Sequence, residues 1–162
     1  MLVDREGRDT YRVAYFGQGA AHWAGTGLLL DRSGADHYEA RRYAQGAGSH
    51  LAVGFLIDSA GDDQYLIWGV GQGCGHDLSV GCLLDRSGND HYQAVWLAQG
   101  AGNANGIGWL DDGGGRDRYV GKRENTQGYG SLSRDYGSIG LLTDREGQDV
   151  YTGSGGDGRL WR

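Results

Sequence analysis

The phrase Leu-x-Asp-x-x-Gly-x-Asp-x-Tyr occurs six times, with its leading aspartate at Asp4, Asp31, Asp58, Asp85, Asp112 and Asp144. Successive leads lie 27 residues apart four times and 32 apart once. A Gln-Gly pair follows at Gln18, Gln45, Gln72, Gln99 and Gln127, fourteen residues after the lead in the first four units and fifteen in the fifth. A unit this short cannot bury its own apolar face, so it must stack on its neighbours.

Each unit holds short β-type stretches, such as Gly27 to Leu30 and Tyr38 to Tyr43, with glycine-marked corners near Gly34, Gly46, Gly48 and Gly54. Nothing reads as a long amphipathic helix. The pattern predicts an all-β chain, a parallel β-solenoid of about six stacked 27-residue coils forming a single domain over 1–162. At ~4.8 Å per coil the stack is roughly 29 Å long. A loop insertion is expected at about 121–139, carrying Lys122, Arg123, Glu124, Arg134 and Asp135, and an irregular tail or cap containing Trp161 at 152–162.

Stacking turns each repeat position into a column. Leu2, Leu29, Leu56, Leu83, Leu110 and Leu142 are expected in the core. Tyr11, Tyr38, Tyr65, Tyr92, Tyr119 and Tyr151 form an aromatic ladder, each offset pair contributing roughly 0.5–1.5 kcal/mol. The Gln column suits amide-to-amide hydrogen bonds. Gly27, Gly54, Gly81, Gly108 and Gly140 mark a corner where a side chain clashes or φ is positive. Cys74 and Cys82 read as core fillers.

Composition narrows the function. The 33 glycines without a Gly-X-Y period exclude collagen, and 38% apolar content argues against a disordered linker. A net charge of −6 opposes a sequence-independent grip on nucleic acid or anionic lipid. No apolar run reaches membrane-spanning length. Met1 opens inside a repeat with no secretory signal, which predicts a cytoplasmic protein or an excerpt of a longer secreted or cell-surface chain.

The strongest chemical signal is a pair of aspartate columns. One contains the six leads; the other contains Asp9, Asp36, Asp63, Asp90, Asp117 and Asp149. Carboxylates stacked about 5 Å apart repel by ~0.8 kcal/mol in water and by ~3 kcal/mol at an effective dielectric of 20. One remedy is an Asx turn, with Arg5, Arg32, Arg86 and Arg145, each directly after a lead, forming an ionic ladder. Another follows from the stretch Asp31-Arg-Ser-Gly34-Ala-Asp36-His-Tyr38, which resembles the RTX nonapeptide Gly-Gly-x-Gly-x-Asp-x-apolar-x, over one nonapeptide of each coil. That resemblance implies calcium, held by the twelve aspartates and the loop carbonyls.

Other candidates are weaker. His50, His76 and Asp77 come close on adjacent coils, whereas His37 and His91 stand two coils apart. Tyr15, Arg41, Arg42, Trp68 and Trp96 suggest an outer strip for a glycan or protein. Twelve equivalent carboxylates do not divide into an acid and a base, so an enzyme is not expected. The competing reading is a polysaccharide-active or carbohydrate-binding β-helix with a groove at the insertion between Glu124 and Asp135. The expectation is a structural or ligand-presenting module, calcium-stabilised, that associates end to end or belongs to a longer repeat array.

Overall fold

The computed structural model describes residues 1–134 and 136–153. The chain winds as a three-sided parallel β-solenoid with no helix among the described residues. The first side is a six-stranded sheet of β1 (Leu2–Val3), β4 (Thr26–Leu30), β7 (Val53–Ile57), β10 (Val80–Leu84), β13 (Ile107–Asp112) and β15 (Ile139–Asp144). The second contains β2 (Thr10–Tyr15), β5 (His37–Arg42), β8 (Gln64–Gly69), β11 (His91–Trp96), β14 (Arg118–Gly121) and β16 (Val150–Thr152). The third has four two-residue strands, β3 (Ala21–His22), β6 (Gly48–Ser49), β9 (Gly75–His76) and β12 (Gly102–Asn103). Four coils therefore carry all three sides. The fifth touches the third sheet by a single bridge from Gly130 to Gly102, and the sixth supplies two strands.

Pairing follows the period. Leu29 faces Leu56, and Leu56 faces Leu83. Across the insertion Leu110 meets Leu142. Leu29, Leu56, Leu83 and Leu110 make one core with the four tyrosines beside them, between the first two sheets, and Tyr11, Leu142 and Tyr151 pack against it. Leu2, expected in the core, is 48% exposed because the first coil has no neighbour on its outer end among the described residues. Neighbouring Tyr rings stack with centroids 4.7 to 4.9 Å apart and planes within 9°. This is the predicted ladder.

The Gln column differs from expectation. Gln45 Nε2 donates to the carbonyl of Tyr38 in its own coil and of Leu66 in the next, both at 3.0 Å. The amide thus pins two strands rather than bonding its neighbour's amide. The Gly54 column also differs: it lies inside strands of the first sheet, not at a corner. A Cβ there would run into the carbonyl of Ala47, so close backbone approach, not dihedral freedom, requires glycine.

One corner uses a pair of left-handed residues that are not glycine. His50 and Leu51 have φ of 55° and 61°, and Trp23–Ala24, Asp77–Leu78 and Ala104–Asn105 repeat the pair. Such conformations cost energy unless the surroundings hold them. Here each N–H is tied to the next coil, as from His50 to His76 O and from Leu51 to Asp77 O.

The inserted residues enter at two places. Gln127 comes 15 residues after Asp112 instead of 14, and Ile139 comes 12 after Gln127, against 8 from Gln99 to Ile107. Between these points Thr126, Gln127 and Ser131 are buried and rejoin the stack. Both cysteines are buried, as expected, but only Cys74 joins an inner cluster; Cys82 stands on the other side of its strand from the Leu column, between Phe55 and Trp109 on the first sheet. Of the tail or cap expected at 152–162, Thr152 ends β16, and residues 154–162, with Trp161, fall outside the described residues.

Leu56→Ala empties a fully buried position and is expected to cost about 2–5 kcal/mol in urea unfolding. Leu51→Ala at the corner just before that strand, 61% exposed, should stay within about 0.5 kcal/mol.

Candidate functional site

The turn from the first to the second sheet is built by the two aspartate columns. The lead forms the expected Asx turn: Oδ1 of Asp58 accepts from Ala60 N at 3.2 Å, and Asp31, Asp85 and Asp112 repeat the bond. Its Oδ2 accepts from the tyrosine hydroxyl of the preceding coil, Tyr38 to Asp58 at 2.6 Å and Tyr65 to Asp85 at 2.7 Å. Tyr11 and Tyr92 do the same for Asp31 and Asp112. The repeat arithmetic contains this contact, since Tyr stands 7 after its own lead and 20 before the next.

The second column bonds differently. Oδ1 of Asp63 accepts from the backbone N–H of Asp36 at 2.6 Å, and Asp36, Asp90, Asp117 and Asp149 likewise accept from the preceding coil. Oδ2 of Asp36, Asp63, Asp90 and Asp117 is buried without a hydrogen-bond partner. The turn glycines press on these groups: a Cβ on Gly61 would meet the Gly34 carbonyl and the Asp63 carboxylate.

The columns converge in four clusters whose carboxylate oxygens lie within 4.8 Å of one another. They are Asp31, Asp36 and Asp58; Asp63, Asp85 and Asp90; Asp90, Asp112 and Asp117; and Asp117, Asp144 and Asp149. Asp4 and Asp9, at the first coil, join none of them. Among the described residues no ion pair links an arginine to either column. Arg145 pairs with Asp111 at 2.7 Å, and Arg5, Arg32 and Arg86 are exposed. The anticipated Arg ladder does not form, because the residue after the lead faces solvent while the lead is buried.

Burial therefore acts on nearly unopposed charge. It pushes the Asp36 carboxyl up to about 6 and those of Asp63 and Asp117 to about 7, against the hydrogen bond each accepts and reinforced by neighbouring carboxylates. Asp58, Asp85, Asp90, Asp112 and Asp144 are raised for the same first reason.

The other predicted residues separate. Arg41 and Trp68 line a groove of about 780 Å³ on the outer side of the second sheet, with Arg12, Glu39, Leu66 and Lys122. Tyr15, Arg42 and Trp96 belong to the neighbouring column, where Arg42 lies over the Trp96 ring at 4.5 Å, across Gly69. At the insertion, Glu124 is the one carboxylate of a hollow also lined by Lys122, Arg123, Asn125 and Tyr129, and Asp135 lies outside the described residues.

His50 and His76 do approach, with ring centroids 6.3 Å apart, and His22 joins them 4.9 Å from His50. Their Nδ1 atoms are committed to Ser49, Asp77 and Asn103. The same Asp77 pairs with Arg134 of the insertion. These contacts tie the insertion to the third coil and do not gather a set of free ligand atoms.

A carboxyl raised in the folded state favours folding fully below its unfolded value and loses that contribution as pH rises through the folded value. For Asp36, Asp63 and Asp117 the window runs from about 4 to 7. Metal-stripped protein is expected to melt at falling temperature as pH goes from 4 to 8, by circular dichroism; a rising midpoint contradicts the uncompensated burial. The chain matches no protein-family profile, no curated protein and no solved structure.

Proposed function

We propose that this chain is a structural, ligand-presenting module whose coils are clamped by hard divalent cations, calcium foremost, in the aspartate ladder. The observation that carries this reading is the set of four orphaned, buried Oδ2 atoms, each inside a cluster of three carboxylates with no cationic side chain. A buried charge persists only when paired or metal-bound, or else it takes up a proton.

The donor set is all oxygen, which suits calcium, magnesium or manganese over softer ions. Ligand atoms up to 4.8 Å apart match calcium–oxygen bonds of about 2.3–2.6 Å on opposite sides of one ion. Magnesium keeps several waters and demands a tighter octahedron, a poor fit to so dry a turn. Asp63, Asp85 and Asp90 would hold one ion: Oδ2 of Asp63 and of Asp90 carries no hydrogen bond, and Oδ2 of Asp85 keeps a lone pair beside the bond from Tyr65. Between-coil ions would replace repulsion along the ladder by attraction.

Thermal melting with calcium and with chelator tests the reading. Ligand at 100 times its dissociation constant contributes about 2.7 kcal/mol per site, so the midpoint should rise by at least ~5 °C. Asp63→Asn keeps the bond from Asp36 N and should shrink the calcium shift. If the ladder is instead held by shared protons, the parent ignores calcium and the variant melts higher than the parent.

A second reading is favoured by the groove on the second sheet. Trp68, 54% exposed, stands in one column with Arg41 and Lys122, a cationic strip on an acidic protein. Stacking on Trp68 with flanking cations suits a glycan bearing carboxylates. Calorimetry with a short oligogalacturonide should detect binding that Trp68→Ala weakens about 3- to 10-fold. Equal affinity in parent and variant removes the groove from consideration.

A further inference from the structure

The first two sheets share one core, yet their outer sides differ in chemistry. On the second sheet the outward columns mix the charged Arg12, Glu39, Arg41 and Lys122 with the apolar Leu66 and Trp68. On the first sheet, alternation places residues two apart on the outer side, opposite the buried Leu column. In β4, β7, β10, β13 and β15 these positions are apolar except at Thr26, Asp111 and Thr143. Phe55, Cys82 and Trp109 run through the middle. The one charge, Asp111, is neutralised at the edge by Arg145. On its inner side the sheet packs against the second through the Leu and Tyr columns and borders the third, whereas its outer positions Ile107, Ile139 and Leu141 are exposed.

We propose that the outer side of the first sheet is an interface with a second copy of this chain, two such sheets packing face to face. Five strands in unbroken register give a regular apolar surface, and the surface that matches its relief at the ~10 Å spacing of stacked sheets is another of the same kind. Five strands of about five residues span roughly 24 by 17 Å, or ~400 Å² before side-chain relief is counted. Two such faces make roughly 800 Å², and the relief of the side chains brings the buried surface to about the 1,000 Å² that a specific interface must clear.

A repetitive surface can slip by one coil, and the insertion supplies a register. Leu132 and Tyr136, 92% and 87% exposed, rise beside Ile107 and Ile139 at one end of the sheet and share a hollow with them. This surface is distinct from the stack ends and from the aspartate ladder.

Sedimentation equilibrium from about 1 to 100 μM, at fixed calcium, tests the proposal. The parent is expected to be a dimer, and Phe55→Lys to weaken association at least 100-fold. Leu66→Lys, on the outer side of the second sheet, should leave it unchanged. If Phe55→Lys does not fold, Ile107→Lys, at a 41% exposed position, replaces it. A parent monomeric at 100 μM overturns the interface, as does a dimer that survives the folded first-sheet variant, which is the outcome expected of end-to-end association. Binding of the monomeric parent to neutral phosphatidylcholine vesicles would assign the surface to lipid and also overturn it.

Discussion

Each strand here is bonded to its own equivalent one coil away. That parallel, in-register stacking is the constraint on which everything else rests. It stacks Leu on Leu and Tyr on Tyr, and it supports the left-handed corners at His50 and Leu51, whose N–H groups bond to the coil above. A 27-residue coil has little stability of its own, so backbone conformations that would be costly in an isolated turn persist because the next coil requires the same one.

The same constraint creates the problem at the aspartate turn. A carboxylate that is a sound turn-former once becomes a buried row of like charges when repeated at the rise of a coil. The lead column is largely satisfied, with Oδ1 on its own turn and Oδ2 on the tyrosine of the coil before. The second column spends one oxygen on the backbone and leaves the other empty-handed. A proton and a cation are the two ways to quiet that oxygen, and they predict opposite responses to pH and to calcium. Tyr and Asp therefore act as one unit: the ring ladder sets the distance at which the carboxylates must be reconciled.

Stacking also makes the outer sides of the sheets into continuous surfaces, where one residue choice is multiplied along the column. The second sheet presents mixed charge around Trp68, and the first presents an apolar field around Phe55 and Trp109. Inward positions have little freedom, so the differences that determine what such a chain meets are written outward, and at the insertion that breaks the period.

The period alone made the solenoid, the Leu core, the Tyr ladder and the Asx turns legible, because translation by 27 residues is a statement about contacts as well as about sequence. It did not reveal that Gln45 would bond carbonyls rather than amides, that Gly54 would sit within a strand, or that Cys82 would face outward. Each depends on which way a side chain leaves the backbone within a coil, and the repeat is silent on that. The corners at Trp23–Ala24 and His50–Leu51 were hidden because they lack the glycine that normally signals positive φ. Sequence by itself determined which residues share a column. Tertiary structure decided which columns are buried, and so left the arginines in water and the aspartates without a counter-charge, since burial depends on the path of the coil and not on its period.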